Sequence, residues 1–136
     1  MKGKEWIIAG HSVGGTMALM LGMEPKSGDH GWGNETPMAG LRGVVSIGAI
    51  YDFVTVRDAH MSIREIYDAF TTGAFGPEGE GGWRMGDVLR CGRRVVEDVG
   101  CVVVGYSRED ELVEFQQAVD MMGVLRRDGK GGEGAR

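Results

Sequence analysis

Cysteine is nearly absent from this chain. The 136 residues hold two, Cys91 and Cys101, with neither CxxC spacing nor a neighbouring histidine. That pattern excludes a thiolate metal site and argues against a disulfide framework. The expectation is a loop thiol at Cys91 and a buried strand thiol at Cys101, with no metal and no cofactor. Basic charge is also short: 15 Lys and Arg stand against 20 Asp and Glu, a net charge of -5. No nucleic-acid partner is expected, because such a partner needs a broad basic surface. The short groups Arg90, Arg93, Arg94 and Arg126, Arg127 are flanked by acids and read as solvated faces. No apolar run approaches a membrane span, and the first residues hold no signal-peptide apolar core. A cytoplasmic location with no membrane partner is the default expectation. Histidine is scarce as well. There are three, His11, His30 and His60, and none follows residue 60.

Glycine is what the chain has in excess, 25 of 136 residues. Much of it lies in "SGDHGWGNETPMAG", "GPEGEGGWRMG" and the end "DGKGGEGAR", which read as mobile loops and a disordered tail. The expected organisation is one domain over residues 1–127 and a Gly-rich tail over 128–136. Such a domain can bury a core but is small for a complete doubly wound enzyme.

Between the glycine-rich stretches a strand–turn–helix rhythm occurs three times. Trp6 to Ala9 reads as a strand, Gly10 to Gly15 as a turn, and Val13 to Gly22 as a helix. "GVVSIGAI" reads as a second strand, followed by "YDF" and a helix-like "SIREIYDAFTTG". "CVVVGY" reads as the most clearly buried strand, followed by a helical "SREDELVEFQQAVDMMGVLRR". In that last segment Leu112, Phe115, Val119, Met122 and Leu125 recur at helical spacing, so this face is expected to pack on a sheet. Apolar strands alternating with amphipathic helices predict an α/β fold, a parallel sheet with helices on both faces. Ligands of such sheets sit beyond the carboxyl ends of the strands, here Gly10 to Val13, Gly48 to Asp52 and Gly105 to Asp110.

The first of these turns, "GHSVGG", fits one glycine motif and fails two. A Walker-type loop needs a lysine before its Ser or Thr, and here Gly15 precedes Thr16 directly. The dinucleotide pattern GxGxxG has Ser12 where its second glycine belongs. G-x-S-x-G is filled by Gly10, Ser12 and Gly14. In that elbow the chain turns from strand to helix so sharply that the serine is strained and its oxygen exposed. The Val13 amide then points to where an oxyanion would form. The competing reading is a glycine-eased turn with Ser12 as a helix cap.

A serine nucleophile needs a histidine to take its proton and an acid to orient that histidine. Asp110, after the third strand, is the preferred acid, although Ser107 to Asp110 also reads as an S-x-x-D capping signal for the next helix. Asp52 is the second candidate acid, or else a surface turn residue. His11 is expected to pack beside the elbow, while His30 and His60 precede Asp110 in the chain, out of order for this fold. No histidine follows Asp110.

Together, "GHSVGGTMAL", "GVVSIGAIYDF", "YDAFTTGAFG" with Trp83, and "GYSREDELVEFQQAVDMM" resemble fungal-type kynurenine formamidases, serine hydrolases of the α/β-hydrolase fold. The similarity runs in order from about Trp6 to Leu125. It implies hydrolysis of N-formyl-L-kynurenine to kynurenine and formate, a step of tryptophan degradation that feeds NAD synthesis. Carried over by position, Ser12 is the nucleophile, Asp110 the triad acid and Val13 an oxyanion amide, with no metal or organic cofactor. The implied partner is a small aromatic formamide, and a homodimer is allowed. The family's upstream HGG-type motif, early strands, last strand–helix unit and downstream histidine have no counterpart. The expectation is an incomplete α/β-hydrolase domain with little activity by itself. Trp32, Phe75 and Trp83 are candidates for an aromatic pocket, or equally core anchors.

Overall fold

The computed structural model describes residues 3–24, 39–78, 83, 86–89 and 94–129. The described elements are β1 (Trp6–His11), α1 (Val13–Leu21), β2 (Leu41–Ile47), α2 (Phe53–Ala59), a 3-10 turn (Met61–Ile63), α3 (Arg64–Phe75), β3 (Cys101–Gly105) and α4 (Phe115–Arg127). The three strands form one parallel sheet in the order β1-β2-β3. The fold class is therefore α/β. Most of the glycine-rich stretches, with His30, Trp32, Arg90, Cys91, Arg93 and the tail from residue 130, lie outside the described residues.

β2 is the central strand and sets the register. Val44 stands between Ile8 and Val102, and Ser46 between Gly10 and Val104. An irregularity where Trp6 and Ile7 meet Leu41 and Gly43 shifts the alternation by one residue. That shift lets Leu41 and Val44, three apart, both enter the core. α1 and α4 close over this face with Ala18, Leu19, Met121 and Leu125, which form a single cluster with Val44 and Val102.

The opposite face of the sheet is bare among the described residues. Ile7 is 66% exposed, Val103 47% and Ile47 46%, and Cys101 is exposed in the same layer. Three expectations change here among the described residues. The helices packed on the sheet cover one face, not two, and Cys101 is a surface thiol. β2, not β3, is the most buried strand.

A second, smaller cluster lies beyond the carboxyl ends of the strands, where Ile50, Phe53, Val56, Trp83 and Val113 meet. α2 begins at Asp52, whose Oδ1 accepts from the Thr55 amide at 2.9 Å and whose Oδ2 accepts from the Thr55 hydroxyl at 2.8 Å. Asp52 is 3% exposed, a buried cap and not a surface turn residue. Buried Arg57 on α2 pairs with Asp58, Asp68 and Glu78 and stacks 4.9 Å over Trp83. Trp83 and half-buried Phe75, edge-on to Phe53 at 5.3 Å, are thus core anchors and not pocket walls. Arg94, Arg126 and Arg127 are exposed, as expected. Among the described residues no helix is long and apolar enough to cross a membrane.

α4 presents a different face from the one its apolar spacing indicates. Leu112 precedes the helix, and Leu112, Phe115 and Val119 are 59%, 43% and 46% exposed. The packed residues are Gln117, Ala118, Met121 and Leu125. Gln117 explains the rotation. Its Oε1 accepts from the amides of Tyr51 and Asp52 at 2.9 and 2.8 Å, and its Nε2 donates to the Asp52 carbonyl at 3.1 Å. Three hydrogen bonds to buried backbone outweigh the gain from turning Phe115 and Val119 inward.

Candidate active site

Ser12 joins the last residue of β1 to the first of α1 with φ 55 and ψ -130. It is the single non-glycine residue with positive φ among the described residues. A residue with a Cβ in this region bears strain of about 1–3 kcal/mol. The Ser12 amide donates to the Ile47 carbonyl at 2.9 Å, and the Ser12 carbonyl accepts from the amides of Gly15 and Thr16. Its side chain makes no cap hydrogen bond, which sets aside the helix-cap reading. The turn therefore holds the serine by its backbone alone.

Sterics explain the glycines. A Cβ on Gly10 would lie 2.0 Å from the Gly14 carbonyl oxygen, so strand and helix can approach only if residue 10 has no side chain. Gly15 is similarly constrained: its Cβ would come within 2.8 Å of the Ala49 Cβ and 2.9 Å of Ser46 Oγ. A Cβ on Gly14 would meet nothing within 4 Å. The close approach of strand and helix therefore depends on Gly10 and Gly15 and not on Gly14.

The first turn of α1 is fastened to the strand ends by side chains that the sequence did not single out. The Ser46 hydroxyl donates to the Gly15 carbonyl at 3.0 Å, so its 2.7 Å contact with Tyr51 is donated by the tyrosine. The Thr16 hydroxyl donates to the Ile50 carbonyl at 2.7 Å. Burial pushes the Tyr51 hydroxyl up to about 12, against the smaller opposing effect of its bond with Ser46. Val13 opens α1, and its amide belongs to the first-turn donors that a helix leaves without an intrahelical acceptor.

Asp110 follows β3 in a short turn. Its Oδ1 accepts from the amides of Leu112 and Val113 at 2.9 and 3.1 Å. Ser107 does not cap α4, which starts at Phe115. Its hydroxyl instead accepts from the Glu109 amide at 3.1 Å. The other Asp110 oxygen, Oδ2, lies 3.5 Å from the point that a Cβ on Gly48 would occupy, and His11 Nε2 lies 3.5 Å from the same point. Gly48, at φ +52, directly follows β2, whose last carbonyl receives the Ser12 amide. The carboxyl ends of all three strands thus bring the elbow, His11 and Asp110 to one end of the sheet.

The remaining candidates are placed elsewhere. Asp52 has both carboxylate oxygens engaged by Thr55. His60, at the end of α2, stacks on Tyr67 with ring centroids 5.8 Å apart and approaches Glu114 to 3.0 Å. Around Asp110 and Glu114 the tyrosines are shifted. Burial raises both Tyr67 and Tyr106, and the two carboxylates add to the rise in each.

No protein-family model, curated protein or solved structure matches this chain.

Proposed function

We propose that this chain carries the nucleophile half of a serine hydrolase of the α/β-hydrolase class. Within that class, the reading is a kynurenine-formamidase-like enzyme acting on a small aromatic formamide, N-formyl-L-kynurenine. The observation that carries the class is Ser12, held in a strained backbone between strand and helix with its side chain free of any capping role. The substrate is supported by the resemblance of the quoted segments, and by nothing else.

In the proposed reaction the Ser12 oxygen attacks the formyl carbon as its proton passes to an imidazole. The Val13 amide donates to the oxyanion. The C–N bond breaks, the leaving amine takes the proton, and water releases formate from the formyl-enzyme. Asp110 orients that imidazole through Oδ2, while Oδ1 stays with the Leu112 and Val113 amides. His11 sits against Gly48 and His60 against Glu114, while His30 lies outside the described residues. The resemblance puts the imidazole downstream of Asp110, where this sequence has no histidine. Turnover by this polypeptide alone is then orders of magnitude below that of an intact enzyme, since triad members act as a unit.

Substrate class is tested by protection, which does not need turnover. N-formyl-L-kynurenine should slow the labelling of Ser12 by a fluorophosphonate, whereas p-nitrophenyl acetate should not. Protection by the ester alone would favour a general carboxylesterase of the same fold.

A further inference from the structure

We propose that His60 and Glu114 form a proton-dependent brace for the turn that holds Asp110, so that both act as positioning residues. The importance of this brace for catalysis rests on the reading of Asp110 as the triad acid. The brace itself stands on geometry alone.

His60 is fixed by its backbone. Its amide donates to the Arg57 carbonyl at 3.2 Å, and its own carbonyl accepts from the Ile63 amide at 3.0 Å. The ring lies against Tyr67 of α3 at an interplanar angle of 26°. Glu114 occupies the N-cap position of α4 but makes no side-chain cap bond there. Its carboxylate points to His60 instead, with Oε1 3.0 Å from Nε2. The two atoms are not aligned as a hydrogen bond, and Nε2, Oε1 and Oε2 are all buried atoms without a hydrogen-bond partner. A lone pair on Nε2 would face a carboxylate lone pair across that distance, which is repulsive. The neutral ring can also keep its proton on Nε2, so what protonation adds is the positive charge of the imidazolium beside the buried carboxylate oxygens, which strengthens the contact.

The contact reaches Asp110 within a few residues. Tyr67, under the His60 ring, donates its hydroxyl to the Leu112 carbonyl at 2.8 Å. The amides of Leu112 and Val113 are the donors to Asp110 Oδ1, and Val113 is buried in the second core cluster. Residues 110–114 are thereby clamped by Asp110 at one end and by His60 and Glu114 at the other, with Tyr67 in the middle. The ionisable groups against His60 are Glu114 before α4 and Tyr67 on α3. Tyr67 feels the Asp110 and Glu114 carboxylates, as does Tyr106. The cations Arg57 and Arg64 are turned to Asp58, Asp68 and Glu78. Protonation of His60 therefore tightens the turn, and its loss with rising pH loosens it.

The test is a pH titration of the full isotopically labelled chain by NMR, followed through the protonation of the His60 ring. The amide signals of Leu112 and Val113 should move together with the His60 ring protons in the wild type. In Glu114→Gln the ring should still titrate while those amides stay still, and in His60→Gln they should not titrate. Amides that ignore the ring in the wild type, or follow it equally in Glu114→Gln, overturn the brace. The wild-type titration decides the matter even if a variant fails to fold. Fluorophosphonate labelling of Ser12 in the same samples separates the two readings. A titrating brace beside a Ser12 that stays unlabelled even with imidazole supplied sinks the hydrolase reading and leaves the brace standing.

Discussion

Ser12 occupies a backbone conformation in which a glycine would be at ease, and no side-chain cap bond offsets the strain. Ser12→Gly should therefore stabilise the fold by about 1 kcal/mol, strain relief exceeding the added entropy of a glycine in the unfolded chain. Ser12→Ala keeps the Cβ and the strain and should leave stability within about 0.5 kcal/mol of wild type. Urea unfolding of the three proteins checks this. A glycine variant no more stable than the alanine variant would mean that the elbow is unstrained. Tyr51 supplies the second prediction at this scale. Its folded-state proton is held from the ordinary 10.0 up to about 12. The native state thus binds a proton that the unfolded state has lost, so stability is full below about pH 10 and falls as pH rises toward 12. The loss from this group is about 2–3 kcal/mol. Tyr51→Phe should shorten that alkaline fall without abolishing it, because Tyr106 is raised in the same direction. An equally steep fall in Tyr51→Phe would assign it to other groups.

At the scale of elements, the joint between β2 and α2 hangs on α4 through one side chain. Replacing Gln117 by leucine strands the buried amides of Tyr51 and Asp52 and should cost about 2–4 kcal/mol, read as a lowered urea midpoint. A loss under about 0.5 kcal/mol would mean that those amides find other acceptors. Gln117 also shows where reading the chain by hydrophobic spacing stops. The spacing of Leu112, Phe115, Val119, Met122 and Leu125 is helical, yet a polar residue that binds distant backbone decides which side faces in. No local pattern carries that information. The elbow was legible because its glycine spacing follows from a local clash, 2.0 Å at Gly10, that any such turn must avoid. Asp110 was legible from its place after an apolar strand. The helical rhythm did not reveal that its turn runs on to Glu114 before α4 begins. The partners of Tyr51 and Ser46 lie in other elements and left no trace in either one's neighbourhood.

At the scale of the whole molecule, the sheet face left bare among the described residues is the dominant physical fact. Apolar strands were read as buried on both sides, which holds when helices lie on both faces. Here Ile7, Ile47 and Val103 face outward beside Cys101, and β1 and β3 are edge strands among the described residues. Such a surface favours association. Sedimentation velocity should show self-association that grows with concentration and is weakened by Val103→Lys. A chain that stays monomeric throughout would contradict this. The α/β class with its parallel strands, and the strand ends as the place to look for a site, were read from the sequence; the order β1-β2-β3 was not. Which face is covered depends on packing partners that the sequence pattern does not specify.

The most direct test of the account is fluorophosphonate labelling of the full chain, with the modified residue located by peptide mass. The account expects slow covalent label on Ser12 that added imidazole, standing in for the base, speeds up, and none in Ser12→Ala. Label absent from Ser12 in folded wild-type protein even with imidazole supplied would contradict it, leaving the elbow as a strained turn without a reactive nucleophile.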